Sequence, residues 1–208
     1  MVRIFAVAAV FAIAALLGMT WWLGRAPQDE FSACRATKVG TGASSIGGPF
    51  TLVDETGKTV TDADVMTKPT LLYFGYTFCP DVCPLDNARN AEALDLLQGR
   101  GYDAQMAFIS IDPERDTPEQ LAEFTDYLHP DMIGLTGTPA QVKAASQAYK
   151  TYYRKQETEP GDEEYYLVDH STFTYLVLPD RGFVEFFKRN DTPEEMADRA
   201  ACFIDAAK

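Results

Sequence analysis

The chain has 208 residues, 46% of them hydrophobic, with 31 acidic against 18 basic side chains and a formal net charge of -13. That length holds one domain of about 150 residues with its own core, plus an appendage. The acidic balance repels phosphates and so excludes nucleic acid as a partner.

The appendage comes first. From Ile4 to Gly24 no residue is charged, and a helix over that stretch is about 30 Å long, the thickness of a bilayer core. The run ends in Trp21 and Trp22, as an interfacial belt does, whereas the apolar core of a cleaved signal peptide is shorter and ends at small residues. Residues 1–25 are therefore expected to be an uncleaved membrane anchor. A lipid-modified Cys34 is disfavoured by the polar residues 25–30. Arg3 and the amino end bias the short tail to the cytoplasm, and no Arg- and Ser-rich leader precedes the run. The expected location is a bacterial inner membrane with the domain in the periplasm. Thiols pair in such a compartment, and Cys34 and Cys202, neither with a thiol nearby in sequence, are expected to join the two ends of the domain.

Residues 26–48 read as a linker, rich in Gly, Ser, Thr and Ala towards its end, and 49–208 as the domain. Residues 50–53 and 58–60 suit short strands around the turn Asp54-Glu55-Thr56-Gly57, an added hairpin. Residues 71–74, Leu-Leu-Tyr-Phe, form a buried strand that ends at Gly75. Beyond it stand Cys79 and Cys83, a CxxxC pair, each followed by proline. Proline favours extended geometry in the preceding residue, which places both thiols in a loop, with Pro84 opening a helix over about 84–97. Cys83 then caps that helix, where free N–H groups and the dipole lower a thiol pKa. Leu85, Ala88, Leu94 and Leu97 are spaced to form its buried face.

Residues 106–111 read as a second buried strand, and Asp112-Pro113-Glu114-Arg115-Asp116 as a polar loop. Thr117-Pro118-Glu119-Gln120, Thr138-Pro139-Ala140-Gln141 and Thr192-Pro193-Glu194-Glu195 share one helix-start pattern: a capping Thr, Pro at the first position, and Gln or Glu at the third. They predict helices at about 118–128, 139–149 and 193–206. Residues 132–135 suit a short strand, 149–164 a loop or loose hairpin, and 172–178 and 183–188 an antiparallel pair. The alternation implies an α/β fold with a mixed central sheet flanked by helices. A dithiol after its first central strand suggests a thioredoxin-like one.

Gly47-Gly48-Pro49-Phe50-Thr51-Leu52, Phe74-Gly75-Tyr76-Thr77-Phe78-Cys79-Pro80-Asp81-Val82-Cys83-Pro84 and Val168-Asp169-His170-Ser171 together resemble the Sco/SenC family of membrane-anchored copper-binding proteins. The resemblance runs from about Gly47 to the C-terminus. It implies a thioredoxin-like domain, copper ligands at Cys79, Cys83 and His170, and a role in assembling the dinuclear copper centre of cytochrome c oxidase. The partners it implies are a copper-receiving oxidase subunit and a reductant for the thiols. The donor set agrees, because two thiolates and an imidazole suit Cu(I), whereas structural zinc normally takes four protein ligands.

Asp169 is a candidate to orient the loop or the imidazole, and Asp81 to tune the thiols. His129, at a helix end, is expected to be structural. Three functions compete: a copper metallochaperone; a thiol-disulfide oxidoreductase with Cys79 and Cys83 as its catalytic redox pair; and, with less support, a redox or copper sensor.

Overall fold

The computed structural model describes residue 5 and residues 13–21, 30–35, 46–162 and 164–208. The chain divides into units 1–33 and 34–208, each considered by itself. In the first, residues 13–21 are helical and exposed. Among the described residues no helix is long and apolar enough to cross a membrane, and much of the expected anchor lies outside them, as does most of the linker.

The second unit is built on β3 (Thr70–Gly75), every residue of which is buried. It lies between β4 (Gln105–Ser110), parallel to it, and β8 (Thr174–Leu178), antiparallel. A strand covered on both faces reads as a continuous apolar run, which is why 71–74 stands out in the sequence. The sheet has seven strands. On one side β4 pairs with β5 (Met132–Thr136), then β1 (Thr51–Asp54) and β2 (Thr59–Thr61); on the other β8 pairs with β9 (Gly182–Phe187). The expected N-terminal hairpin is thus part of the main sheet, with β1 antiparallel to both β2 and β5.

After a single turn, α1 (Asp62–Val65), come α2 (Val82–Gly99), α3 (Pro118–Leu128), α4 (Pro139–Ala148) and α5 (Pro193–Ala206). The last three begin as expected. Thr117, Thr138 and Thr192 each accept from the third helical N–H, while Gln120, Gln141 and Glu195 accept from the cap N–H. Each cap is worth about 1 kcal/mol. One face of the sheet meets α2 and α3, with Tyr73 bonded to Asp86 and Phe108 packed 4.8 Å from Phe124. The opposite face packs Phe74 on Tyr149, just past α4. Cys34 and Cys202 form a disulfide across 168 residues, with Cα atoms 5.6 Å apart.

Three expectations are corrected. First, α2 opens at Val82 with Asp81 as its cap, so Cys83 is helical and Pro84 lies inside the first turn, where a missing N–H breaks no intrahelical bond. Second, Leu85 is 60% exposed and Ala88 is exposed. The buried stripe of α2 instead holds Cys83, Asp86, Asn87 and Asn90 above Leu94 and Leu97, polar residues made compatible with burial by hydrogen bonds. Third, β6 (Tyr153–Lys155), inside the stretch expected as a loop or loose hairpin, pairs with β7 (Val168–His170), where no strand is expected, as a separate two-stranded sheet. β8 begins only at Thr174.

Candidate metal centre

Gly75 ends β3 directly beneath Cys83. A Cβ added there would lie 2.9 Å from the Cys83 sulfur and from ring atoms of Phe108 and Tyr73, so the thiol occupies the space that glycine leaves open. The chain then turns, with the Cys79 N–H donating to the Tyr76 carbonyl at 3.3 Å. Asp116 holds the turn from below, accepting from the Thr77 N–H at 3.1 Å and its hydroxyl at 2.6 Å. As α2 begins, the Cys83 N–H donates to the Cys79 sulfur at 3.3 Å.

β7 delivers His170 from the other side. Its Nδ1 lies 2.8 Å from the Ser171 carbonyl, an oxygen that can only accept, so Nδ1 carries the proton and a neutral ring turns the Nε2 lone pair outward. Nε2 is 3.4 Å from the Cys83 sulfur. Tyr73 and Tyr76 meet the imidazole edge-on, with centroids at 6.1 and 5.9 Å. The Tyr76 hydroxyl accepts from the Val168 N–H at 3.2 Å, tying the cysteine turn to β7.

The ligand atoms of Cys79, Cys83 and His170 all lie within 4.8 Å of one another. Two atoms bound to one ion at about 2.0–2.3 Å each can be no more than about 4.6 Å apart, so the three fit a single soft metal ion with little movement. Cys79 is 7% and Cys83 0% exposed.

The two thiols differ electrostatically. Cys79 is held well below the usual thiol range chiefly by the hydrogen bond from the Cys83 thiol, helped by the backbone N–H groups of Cys83 and Asp81, against the opposing effect of burial. Cys83 is pushed up by its bond to the Cys79 sulfur and by burial. The sequence assigned the depressed thiol to Cys83 through the helix terminus. The neighbouring sulfur reverses that assignment.

The remaining candidates stand apart from the three converging ligand atoms. Asp169 accepts from Gln156 at 2.6 Å and pairs with Arg154 at 3.6 Å, across the β6–β7 ladder. Asp81 is exposed and makes no side-chain capping bond. His129 ends α3, accepts from the Asp131 N–H at 3.0 Å and faces Asp95 at 3.3 Å. Sequence reasoning missed the polar support. The Tyr73 hydroxyl donates to buried Asp86 at 2.9 Å, and Asp86 in turn faces Arg189 at 3.3 Å. Nothing in the spacing of Asp86 and Asp116 announces that both are buried.

The chain is similar to known proteins. The protein SenC of Rhodobacter capsulatus is 54% identical over 205 residues, which cover 97% of this chain and 90% of that relative. The crystal structure of Arabidopsis thaliana ScoI with copper bound matches with a TM-score of 0.72 at 42% identity, covering 77% of this chain and 99% of that one. The structure of Bradyrhizobium japonicum ScoI with copper bound matches with a TM-score of 0.66 at 41% identity, covering 75% and 98%. The fold is thus the α/β thioredoxin-like one of those Sco proteins. The family model SCO1/SenC matches residues 38–205, a stretch that takes in the whole sheet, the dithiol turn and His170, and by that match the chain belongs to the SCO1/SenC family.

Proposed function

We infer that this protein is a copper chaperone that binds Cu(I) through Cys79, Cys83 and His170 and passes it to the dinuclear copper centre of cytochrome c oxidase during assembly. The observation that carries this reading is the convergence of two sulfurs and one ring nitrogen within 4.8 Å. Two relatives at 42% and 41% identity hold copper in their structures. A three-coordinate site of soft ligands suits Cu(I) and leaves a position open for an incoming ligand, which a carrier needs if its cargo is to leave by exchange. The oxidase as recipient follows from the family resemblance, and with it a reducing partner, because oxidised cysteines must be reduced before metal enters. The disulfide between Cys34 and Cys202 supports an oxidising compartment. With the uncharged residues 4–24 as anchor, the domain would face the periplasm of a bacterial inner membrane.

One observation favours a second reading, a thiol-disulfide oxidoreductase acting on the recipient's cysteines. Cys79 and Cys83 are both free, and the Cys83 N–H donates to the Cys79 sulfur, which stabilises a thiolate. His170 separates the readings. In anaerobic Cu(I) titrations of reduced protein, His170→Ala is expected to weaken copper binding by about 100- to 1000-fold, one ligand's share of the about 10–16 kcal/mol of a four-ligand site. Wild-type affinity in that variant, with thiol exchange intact, would favour the reductase.

A further inference from the structure

The loop after β4, Asp112-Pro113-Glu114-Arg115-Asp116, is charged along its length, yet Asp112 and Asp116 are only 4% and 0% exposed. Asp116 faces the cysteine turn, where it accepts from Thr77 and, at 2.6 Å, from the Ser110 hydroxyl. Asp112 faces the other way, towards the segment that enters β7, and Arg115 lies between that segment and Phe78 of the cysteine turn. Asp112 accepts from the Tyr166 hydroxyl through one oxygen at 2.6 Å and from Arg115 Nε through the other at 2.6 Å. Arg115 Nη1 donates to the Glu164 carbonyl at 3.2 Å, and its guanidinium carbon lies 3.6 Å from the Tyr166 ring centroid and 4.6 Å from that of Phe78. A single short loop therefore grips the thiol turn with one carboxylate and the histidine arm with the other.

The histidine arm needs such a grip. β7 pairs with β6 and has no ladder to the seven-stranded sheet, and an isolated pair of strands is marginally stable on its own. The position of Nε2 relative to the sulfurs depends on side chains that bridge the two sheets. The strongest of these by chemistry are the charge-assisted bonds. Asp112 and Arg115 supply them, and they hold Tyr166 and Glu164, just ahead of β7.

We propose that Arg115 and Asp112, gripping Tyr166, are positioning residues for His170: they fix the histidine arm against the cysteine turn and so set how firmly the third ligand engages copper. The proposal rests on the Cys79–Cys83–His170 reading of the site. None of the three residues belongs to the ligand set. Their effect on affinity is exerted through His170 alone.

The test is a double-mutant cycle of Arg115→Met and His170→Ala, with Cu(I) affinity measured anaerobically by chelator competition. With His170 in place, Arg115→Met is expected to lower affinity by about 10- to 100-fold, the usual effect of losing a residue that orients a metal ligand. In the His170→Ala background it is expected to change affinity by no more than about twofold, because an effect fully coupled to His170 vanishes when the imidazole is gone. Equal losses in both backgrounds would overturn the proposal, because Arg115 would then act on the thiols or on the fold at large. A weak His170→Ala protein beside an Arg115→Met protein of wild-type affinity would overturn the grip while leaving the ligand set standing. Wild-type affinity in His170→Ala would overturn the ligand set and the proposal with it. Tyr166→Phe, which removes only the hydroxyl bonded to Asp112, repeats the cycle if Arg115→Met does not fold. A readout without metal completes it: nuclear Overhauser contacts from the His170 ring to the Tyr73 and Tyr76 rings should be present in the wild-type apo protein and lost in Arg115→Met. Their persistence at full strength would contradict the proposal.

Discussion

Cys79 and Cys83 are delivered by the junction of β3 and α2, where the strand is wholly buried and a glycine makes room for one of the sulfurs. His170 stands instead at the end of a three-residue strand whose partner, β6, is largely exposed. The contrast teaches how the fold divides the work. Core packing holds the thiols at fixed spacing, while the imidazole is placed by a few polar contacts that can yield. On the proposed chaperone reading, a firm pair of sulfurs beside an adjustable nitrogen would make His170 the release point.

The largest effect should fall on the frame that both halves share. Cys34→Ser opens a loop of 168 residues, and closure of loops that long is worth about 5 kcal/mol in the chain-entropy model, with about 2–5 kcal/mol typical on removing a native disulfide. Urea unfolding should report that loss. Copper affinity at temperatures where the variant stays folded should not change, because neither half of the site touches the disulfide.

Gly75→Ala addresses the firm half directly. Its Cβ would meet the Cys83 sulfur and two aromatic rings at 2.9 Å, an overpacking expected to cost about 1–3 kcal/mol. Unlike the disulfide variant, it should weaken Cu(I) binding as well as stability. Full affinity in a destabilised Gly75→Ala protein would show that the thiol pair is less fixed than its packing implies.

The smallest effect concerns protons. Cys79 is held below the usual thiol range and Cys83 above it, so near neutral pH the empty site holds a thiolate beside a thiol. Copper needs both as thiolates, and loading therefore releases the Cys83 proton. Because a proton is a product, affinity should fall as pH falls, by about tenfold per pH unit, or about 1.4 kcal/mol. Calorimetry in buffers of different ionisation enthalpy should find a single proton released from the pair.

The same division explains what the sequence could say. The firm half was legible: 71–74 reads as a buried strand, and the three Thr-Pro starts place α3, α4 and α5 because capping is local chemistry. Cys34 and Cys202 could be paired because neither had a thiol nearby. The yielding half was not legible. β6 and β7 are three residues each and partly exposed, too short for a periodicity. The buried face of α2 misled because Asp86, Asn87 and Asn90 sit where apolar residues are expected, compensated by partners distant in sequence such as Tyr73 and Thr174. Proline after Cys83 suggested a loop, since the preference against helix in the preceding residue is weaker than the packing that winds α2 back to Val82. That His170 meets the cysteines came from resemblance to a family, because no local pattern encodes a contact across 87 residues.

Everything proposed for this site requires one copper ion to bond Cys79, Cys83 and His170 together. X-ray absorption on the anaerobically loaded, reduced protein tests it most directly. Two sulfur neighbours and one imidazole nitrogen are predicted, with the nitrogen signal absent in His170→Ala. A spectrum with two sulfurs alone, identical in wild type and variant, would contradict it.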